Sequence, residues 1–385
     1  MAVRLEIIAR STTNEARLGR LHTPHGVVET PAFMPVATAG SVKGVWPEQV
    51  RQVGSQMILG NAYHLMLRPG AERVAELGGL HRFMRWDGPI LTDSGGYQAF
   101  SMSNLLKIDD DGFTFRSIVD GRRIRLDPVS CMRVQNQLGA DVAMPLDDCP
   151  PAGADRPRVE LALERTRRWL AACVESHARR EDQALFGIVQ GGTHPELRAR
   201  SLAEVVAFDL PGYAIGGVAV GEGTAEIHRT VAETAPQLPP DRPRYLMGVG
   251  YERDIVAAVA AGVDLFDCVL PTRSGRNARV FTRAGALNLR NAIHARDSRP
   301  IEEGCDCPGC AGGFSRAYLR HLFAAGEMLG PTIASVHNLR HYQRLLLDIR
   351  QAIKQDAWSC LETAWPVLAA ASEGSADRPA DPSSD

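Results

Sequence analysis

Between residues 30 and 273 one pattern recurs: a short apolar run, then a stretch of helical spacing. The runs fall at 33–36, 57–59, 90–92, 142–145, 185–189, 213–215, 245–247 and 263–266. Parallel strands need a crossover of a dozen or more residues, usually a helix, and eight strand–helix units are the number that closes a barrel. The reading is an α/β chain forming a (β/α)8 TIM barrel. Helix signals support it: Asp127-Pro128 caps a helix running to Leu138, an amphipathic stretch covers 156–179, and His194-Pro195 opens 196–208. Asn61, Asp93, Asp147, Gln190, Gly216-Gly217, Gly248 and Asp267 directly follow the second to eighth runs. Any one of them could be a helix cap or turn residue. Seven in register point instead to the C-terminal rim, where barrel enzymes keep their active sites.

After the eighth run periodicity lapses, and residues 274–315 contain Cys305-Asp-Cys307-Pro-Gly-Cys310, followed after 26 intervening residues by His337. Three thiols and an imidazole suit one tetrahedral Zn²⁺, and four protein ligands leave no open position for substrate. Such a metal holds structure, here clamping a loop onto a helix in an insertion too small for its own core. Helices are expected over 315–330 and 332–354. The organisation read from these signals is a barrel with an N-terminal β extension over 1–273, a zinc-binding C-terminal module with helices over 274–370, and a disordered tail over 371–385, rich in Ser, Pro, Ala and Asp.

The 385 residues, 44% hydrophobic and 23% charged, are ordinary for a soluble globular protein. Arg4 and Glu6 interrupt the short apolar N-terminus, which reads as neither signal peptide nor anchor, and no apolar stretch reaches bilayer length. The five cysteines outside the cluster are scattered singly, which fits a reducing cytoplasm. A net charge of −2 argues against coating nucleic acid by bulk charge. Locally, nine arginines face five acids between Asp267 and Arg320. Either a solvated surface in a chain with only three lysines or a phosphate-contacting patch would account for them.

The segments GNAYHL (60–65), LTDSGGYQAFS (91–101), FGIVQGG (186–192), GGVAVGE (216–222), YLMGVG (245–250), LFDCVLPTRSGRNARVFT (265–282), CDCPGC (305–310), SRAYL (315–319) and HNL (337–339) resemble, in order and over most of the chain, the bacterial tRNA-guanine transglycosylases. The resemblance implies exchange of guanine at the anticodon wobble position for a 7-deazaguanine, with Asp267 as nucleophile at C1′ and Asp93 as general acid/base. It places Asp147, Gln190 and Gly217 on the base edge, Tyr97 and Met247 on its two faces, and Ser94, Gly95 and Gly96 beside it. Gly248, Arg273 and Arg276 would meet RNA flanking a flipped-out guanosine, and Arg290, Arg296 and Arg299 stay open between RNA contact and solvated surface. The implied partners are the tRNA anticodon stem-loop, guanine or preQ1, and a second copy of the chain in a cytoplasmic homodimer. Val220 matches the residue of preQ1-using members. Two departures stand out: Asp148 replaces the usual Glu after the base-reading Asp, and Tyr251 follows Gly250 where members vary. A non-catalytic paralogue would have lost Asp93 or Asp267. A sugar glycosidase would share the paired acids but would leave Asp147, Gln190 and the zinc unexplained.

Overall fold

A computed structural model describes residues 2–102 and 107–369; the tail expected to be disordered lies outside the described residues. Its central sheet is built from β1 (Ala32–Ala37), β2 (Ile58–Gly60), β3 (Ile90–Thr92), β4 (Val142–Ala143), β5 (Ala184–Leu185 and Gly187–Val189), β6 (Tyr213–Ile215), β7 (Arg244–Leu246) and β8 (Leu265–Cys268). Every pairing is parallel, and β8 returns to β1 with Asp267 opposite Met34. The ring closes through β5, which pairs with β4 before Phe186 and with β6 after it. There Phe186 N–H donates to Ala143 O at 3.1 Å and Gly187 N–H to Gly212 O at 3.0 Å. The eight strands thus form a closed barrel.

Side chains alternate along a strand, so one parity points into the barrel. Leu59, Leu91, Val142, Met144, Phe186, Ile188, Ala214, Tyr245 and Leu265 fill the interior, together with Met34 and Val36. Continuing each strand by two residues from Leu59, Leu91, Ile188, Tyr245 and Leu265 gives Asn61, Asp93, Gln190, Met247 and Asp267. Asn61, Asp93, Gln190 and Asp267 are therefore the upward extension of the core parity, whereas Asp147 and Gly248 fall one residue off it.

The lower end is covered by an antiparallel meander, Arg4–Arg10, Arg17–Thr23 and Gly26–Thr30, whose Val3, Leu5, Leu21 and Val28 join the interior cluster. Arg17 and Asp264, both fully buried, form a fork in which Nε reaches Oδ1 at 2.8 Å and Nη2 reaches Oδ2 at 2.5 Å. A second antiparallel sheet, Lys107–Asp109, Gly112–Arg116 and Arg123–Leu126, is inserted between β3 and β4.

Beyond β8 come the helix Leu270–Arg276, the hairpin Arg279–Thr282/Gly285–Asn288, and the helices Pro308–Ala311, Arg316–Ala325 and Leu329–Gln355. The break between the last two falls earlier than the sequence suggested. Gly326, at φ +74°, ends the first, while Pro331 sits in the opening turn of the second, where its missing N–H breaks no helical bond. The insertion also has a core of its own, since Val280, Leu289, Ile301, Leu319, Leu322, Phe323 and Ile333 pack around the three cysteines. The long helix belongs to both bodies. Tyr342, Leu345, Leu346 and Ile349 pack into the barrel's outer core, and Gln343 Nε2 donates to Phe33 O of β1 at 3.1 Å. Among the described residues no helix is long and apolar enough to cross a membrane.

Candidate active site and metal tetrad

Asp93 leaves β3 buried at the rim. Its Oδ1 accepts Ala62 N–H at 2.8 Å, and its Oδ2 accepts Gln98 Nε2 at 2.9 Å and a further bond from Asn61 Nδ2. Burial, opposed by these donors and reinforced by the nearby Asp267 charge, pushes its carboxyl up to about 6. Asp267, half-buried on β8, receives Tyr245 Oη at 2.6 Å and Gly248 N at 2.9 Å, both on Oδ1. Burial raises Asp267 too, while Tyr245 and Gly248 oppose the rise. Gly248 is at φ +73°, a left-handed conformation that L side chains adopt only with strain.

Next to this pair lies Asp147, also buried, its Oδ2 accepting Gln190 Nε2 at 2.7 Å. Burial lifts Asp147 to about 7; Gln190 opposes this, and the charges of Asp148 and Asp93 add to it. Gln190 runs under the turn after β6, where a Cβ on Gly217 (φ +65°) would lie 2.3 Å from Gln190 Oε1. A side chain there would have to displace the Gln190 amide and hold a strained left-handed backbone. Ser94, Gly95 and Gly96 make the turn into the helix Gly96–Met102, with Gly96 N–H donating to Ser94 Oγ at 3.2 Å; Tyr97 and Met247 are half-buried. The structure thus gathers three carboxyls, an amide and a glycine turn at the C-terminal ends of the strands. That set can offer an acid, a nucleophile and a polar edge for a planar heterocycle.

The four cluster residues come together in the module, all buried, with ligand atoms within 4.8 Å of one another, and could hold a metal ion. His337 Nδ1 lies 3.7, 3.6 and 3.4 Å from the sulfurs of Cys305, Cys307 and Cys310. Its Nε2 lies 2.7 Å from Phe281 O, so the N–H is spent on a carbonyl and Nδ1 is turned to the thiols.

Residues 11–365 match the family model described as queuine tRNA-ribosyltransferase. The chain is 55% identical over 352 residues to the queuine tRNA-ribosyltransferase of Thermus thermophilus, covering 91% of this chain and 90% of that one. It is 53% identical over 355 residues to that of Synechococcus elongatus, covering 92% of each. The same-named protein of Staphylococcus aureus is 49% identical over 355 residues, with 92% of this chain and 93% of that one covered.

The chain belongs to the queuine tRNA-ribosyltransferase family.

For this ribosyltransferase-family chain the structure adds residues that the linear reading passed over. Tyr245 shares the inward parity of Met247 within the run 245–247, and that parity brings its hydroxyl to Asp267. Gln98, five residues after Asp93, lies in the first turn of the following helix and reaches back to it. Asp148, the departure from the family pattern, is forked by Arg158 at 3.0 and 2.5 Å and touched by Arg165 at 3.3 Å. Its carboxylate faces those arginines. Several of the nine downstream arginines serve the module: Arg283 pairs with Asp348, Arg299 and Arg316 with Asp297, and Arg290 lies 5.5 Å over the Phe323 ring. Arg273 and Arg276 are half-buried on the helix that follows Asp267. The long helix holds that helix in place, as Asn338 Nδ2 donates to Pro271 O at 2.9 Å. A second group of possible ligands, His25, His81 and Asp141, is already satisfied by hydrogen bonds at the opposite end of the barrel.

Proposed function

We propose that this chain exchanges guanine at the wobble position of GUN-anticodon tRNAs for preQ1, 7-aminomethyl-7-deazaguanine, by double displacement. The observation that carries the reading is the pair Asp93 and Asp267 on one rim, close enough for the charge of Asp267 to raise Asp93, and held by different donors. Asp267 attacks C1′, the C1′–N9 bond breaks with its electrons going to the base, and Asp93 gives the departing guanine its proton. Both donors to Asp267 meet Oδ1, which orients the carboxylate and would leave Oδ2 for attack on the sugar. In the second half Asp93 takes a proton from the incoming base, whose nitrogen displaces Asp267 from C1′.

Asp147 would accept the base's N1–H and 2-amino group, and Gln190 and the Gly217 N–H would donate to its 6-carbonyl. Tyr97 and Met247 would cover its faces, with Ser94, Gly95 and Gly96 shaping the turn beside it. Gly248, Arg273 and Arg276 would receive the flanking nucleotides of a flipped-out guanosine. Val220, half-buried with its carbonyl 3.3 Å from Ala152 N, supports the smaller preQ1 over queuine.

The tetrad suits zinc. A tetrahedron with about 2.3 Å to sulfur and about 2.0–2.1 Å to nitrogen has sulfur–nitrogen edges of roughly 3.6 Å, against 3.4–3.7 Å here. Bound there, the ion would cross-link loop and helix as a structural metal. A cytoplasmic location is supported by the tRNA substrate and by the free cysteines.

The test is incubation of the protein with guanine-labelled tRNA and either preQ1 or queuine. Release of label by preQ1 is expected, and release by neither base defeats the reading. Asp267→Asn should abolish the covalent RNA adduct on denaturing gels; a surviving adduct moves the nucleophile elsewhere.

A further inference from the structure

Arg198, on the helix Pro195–Val206, is 5% exposed. Its Nε donates to Gly192 O at 2.8 Å, Nη1 to Val189 O at 3.0 Å and Nη2 to Gly216 O at 2.6 Å. Among the described residues no carboxylate lies within salt-bridge distance of it. A buried cation bonded only to carbonyls is costly and is retained where its charge or its fork has a use. Burial pulls the guanidinium down to about 10, so it stays charged at neutral pH.

The three carbonyls belong to the two segments that would read the base. Val189 O is in the peptide whose N–H is that of Gln190, and Ser201, one turn further along the same helix, accepts that N–H at 3.0 Å. Gly216 O is in the peptide whose N–H is that of Gly217. A cation on the oxygen of an amide draws electron density through the amide and makes its N–H a stronger donor. A Cβ on Gly217 would stand 3.6 Å from Arg198 Nη2, so the charge lies directly behind the turn.

We propose that Arg198 is a positioning residue for the base's 6-carbonyl: it fixes the Gly216–Gly217 peptide and polarises its N–H toward that oxygen. The proposal rests on the base-exchange reading above. It also bears on the chemistry, because part of the electron pair released by C1′–N9 cleavage reaches the 6-oxygen, where a preorganised donor stabilises it.

The experiment uses the full chain and two ligands that differ in one atom, 7-deazaguanine and its 6-thio analogue; sulfur is the weaker acceptor. In Arg198→Met, affinity for 7-deazaguanine should fall about tenfold and that for the thio analogue about threefold or less, so the oxo-over-thio preference shrinks. Arg198→Lys, which keeps charge but not the three-way fork, should lie between. Equal losses for both ligands would mean a purely structural role, and no loss would mean no role; either overturns the proposal. If Arg198→Met does not fold, the oxo-over-thio ratio of Arg198→Lys decides, an unchanged ratio being the adverse result. Failure of the wild-type protein to bind 7-deazaguanine would count against the base-exchange reading itself, and is thereby distinguishable.

Discussion

At the scale of single residues, the proposed base-reading role of Asp147 and the stability of the fold oppose each other. Its carboxyl rises from 3.8 to about 7 on folding because burial disfavours the charge. The folded chain then holds a proton that the unfolded chain releases, so this residue's contribution is most favourable below about pH 4 and is lost as pH climbs to about 7. Asp147→Asn keeps an oxygen for Gln190 and removes the charge. We expect it to be more stable than wild type by on the order of 2 kcal/mol at pH 8 in urea titrations, with no gain at pH 4 and with base binding lost. A variant less stable at pH 8 would refute the assignment. Asp93, lifted to about 6, has the same sign over a narrower window. In the proposed role of acid for the leaving guanine it would have to be protonated, so adduct formation in single-turnover experiments should slow by about tenfold per unit above pH 6. A flat profile would remove Asp93 from that role.

At the scale of elements, two joints carry the architecture. The Arg17–Asp264 fork ties the N-terminal meander to the base of β8, and Asp264→Asn leaves a buried guanidinium without its counter-charge. A loss of about 3–5 kcal/mol in urea midpoints is expected; a change under about 1 kcal/mol would show the pair to be dispensable. The other joint is the helix Leu329–Gln355, which carries His337 in one half and barrel-packing side chains in the other. Chelation should therefore expose amides over 278–340 to hydrogen exchange while those over 342–353 stay protected. Asn338 also loses its anchor, so affinity for RNA should fall with it. Unchanged exchange after metal removal would contradict a structural ion.

At the scale of the whole molecule, barrel and module both leave large apolar side chains exposed that a second copy could cover. Met328 is 84% and Trp46 76% exposed, and Phe314, Tyr318 and His321 form a stacked aromatic ladder with centroids 5.9 and 6.5 Å apart. The segment before Trp46 lies against the long helix, since a Cβ on Gly44 would sit 3.7 Å from Thr332 Oγ1. Large apolar side chains left exposed are common at interfaces. A dimer is expected in sedimentation at micromolar concentration, with Met328→Asp combined with Tyr318→Asp giving monomers. A monomeric wild type would defeat this reading.

The barrel was legible from the linear chain because strand–helix alternation and period-two parity are local properties, readable wherever a run such as 245–247 is short, apolar and followed by a helix. The tetrad was legible for a similar reason, since thiols two and three residues apart can meet only one another and a partner arriving from elsewhere. Other features depended on closure. That Tyr245 reaches Asp267, that Arg17 finds Asp264, and that Arg158 and Arg165 engage Asp148 are contacts between residues from 10 to 247 positions apart. No periodicity encodes such distances. The upward shift of the Asp93 and Asp147 carboxyls is likewise a property of the closed rim, because only there does burial withhold the water that favours their charged forms. Residue type and order were enough to say which groups stand at the strand ends; the folded ring alone decided which of them face one another and in what charge state.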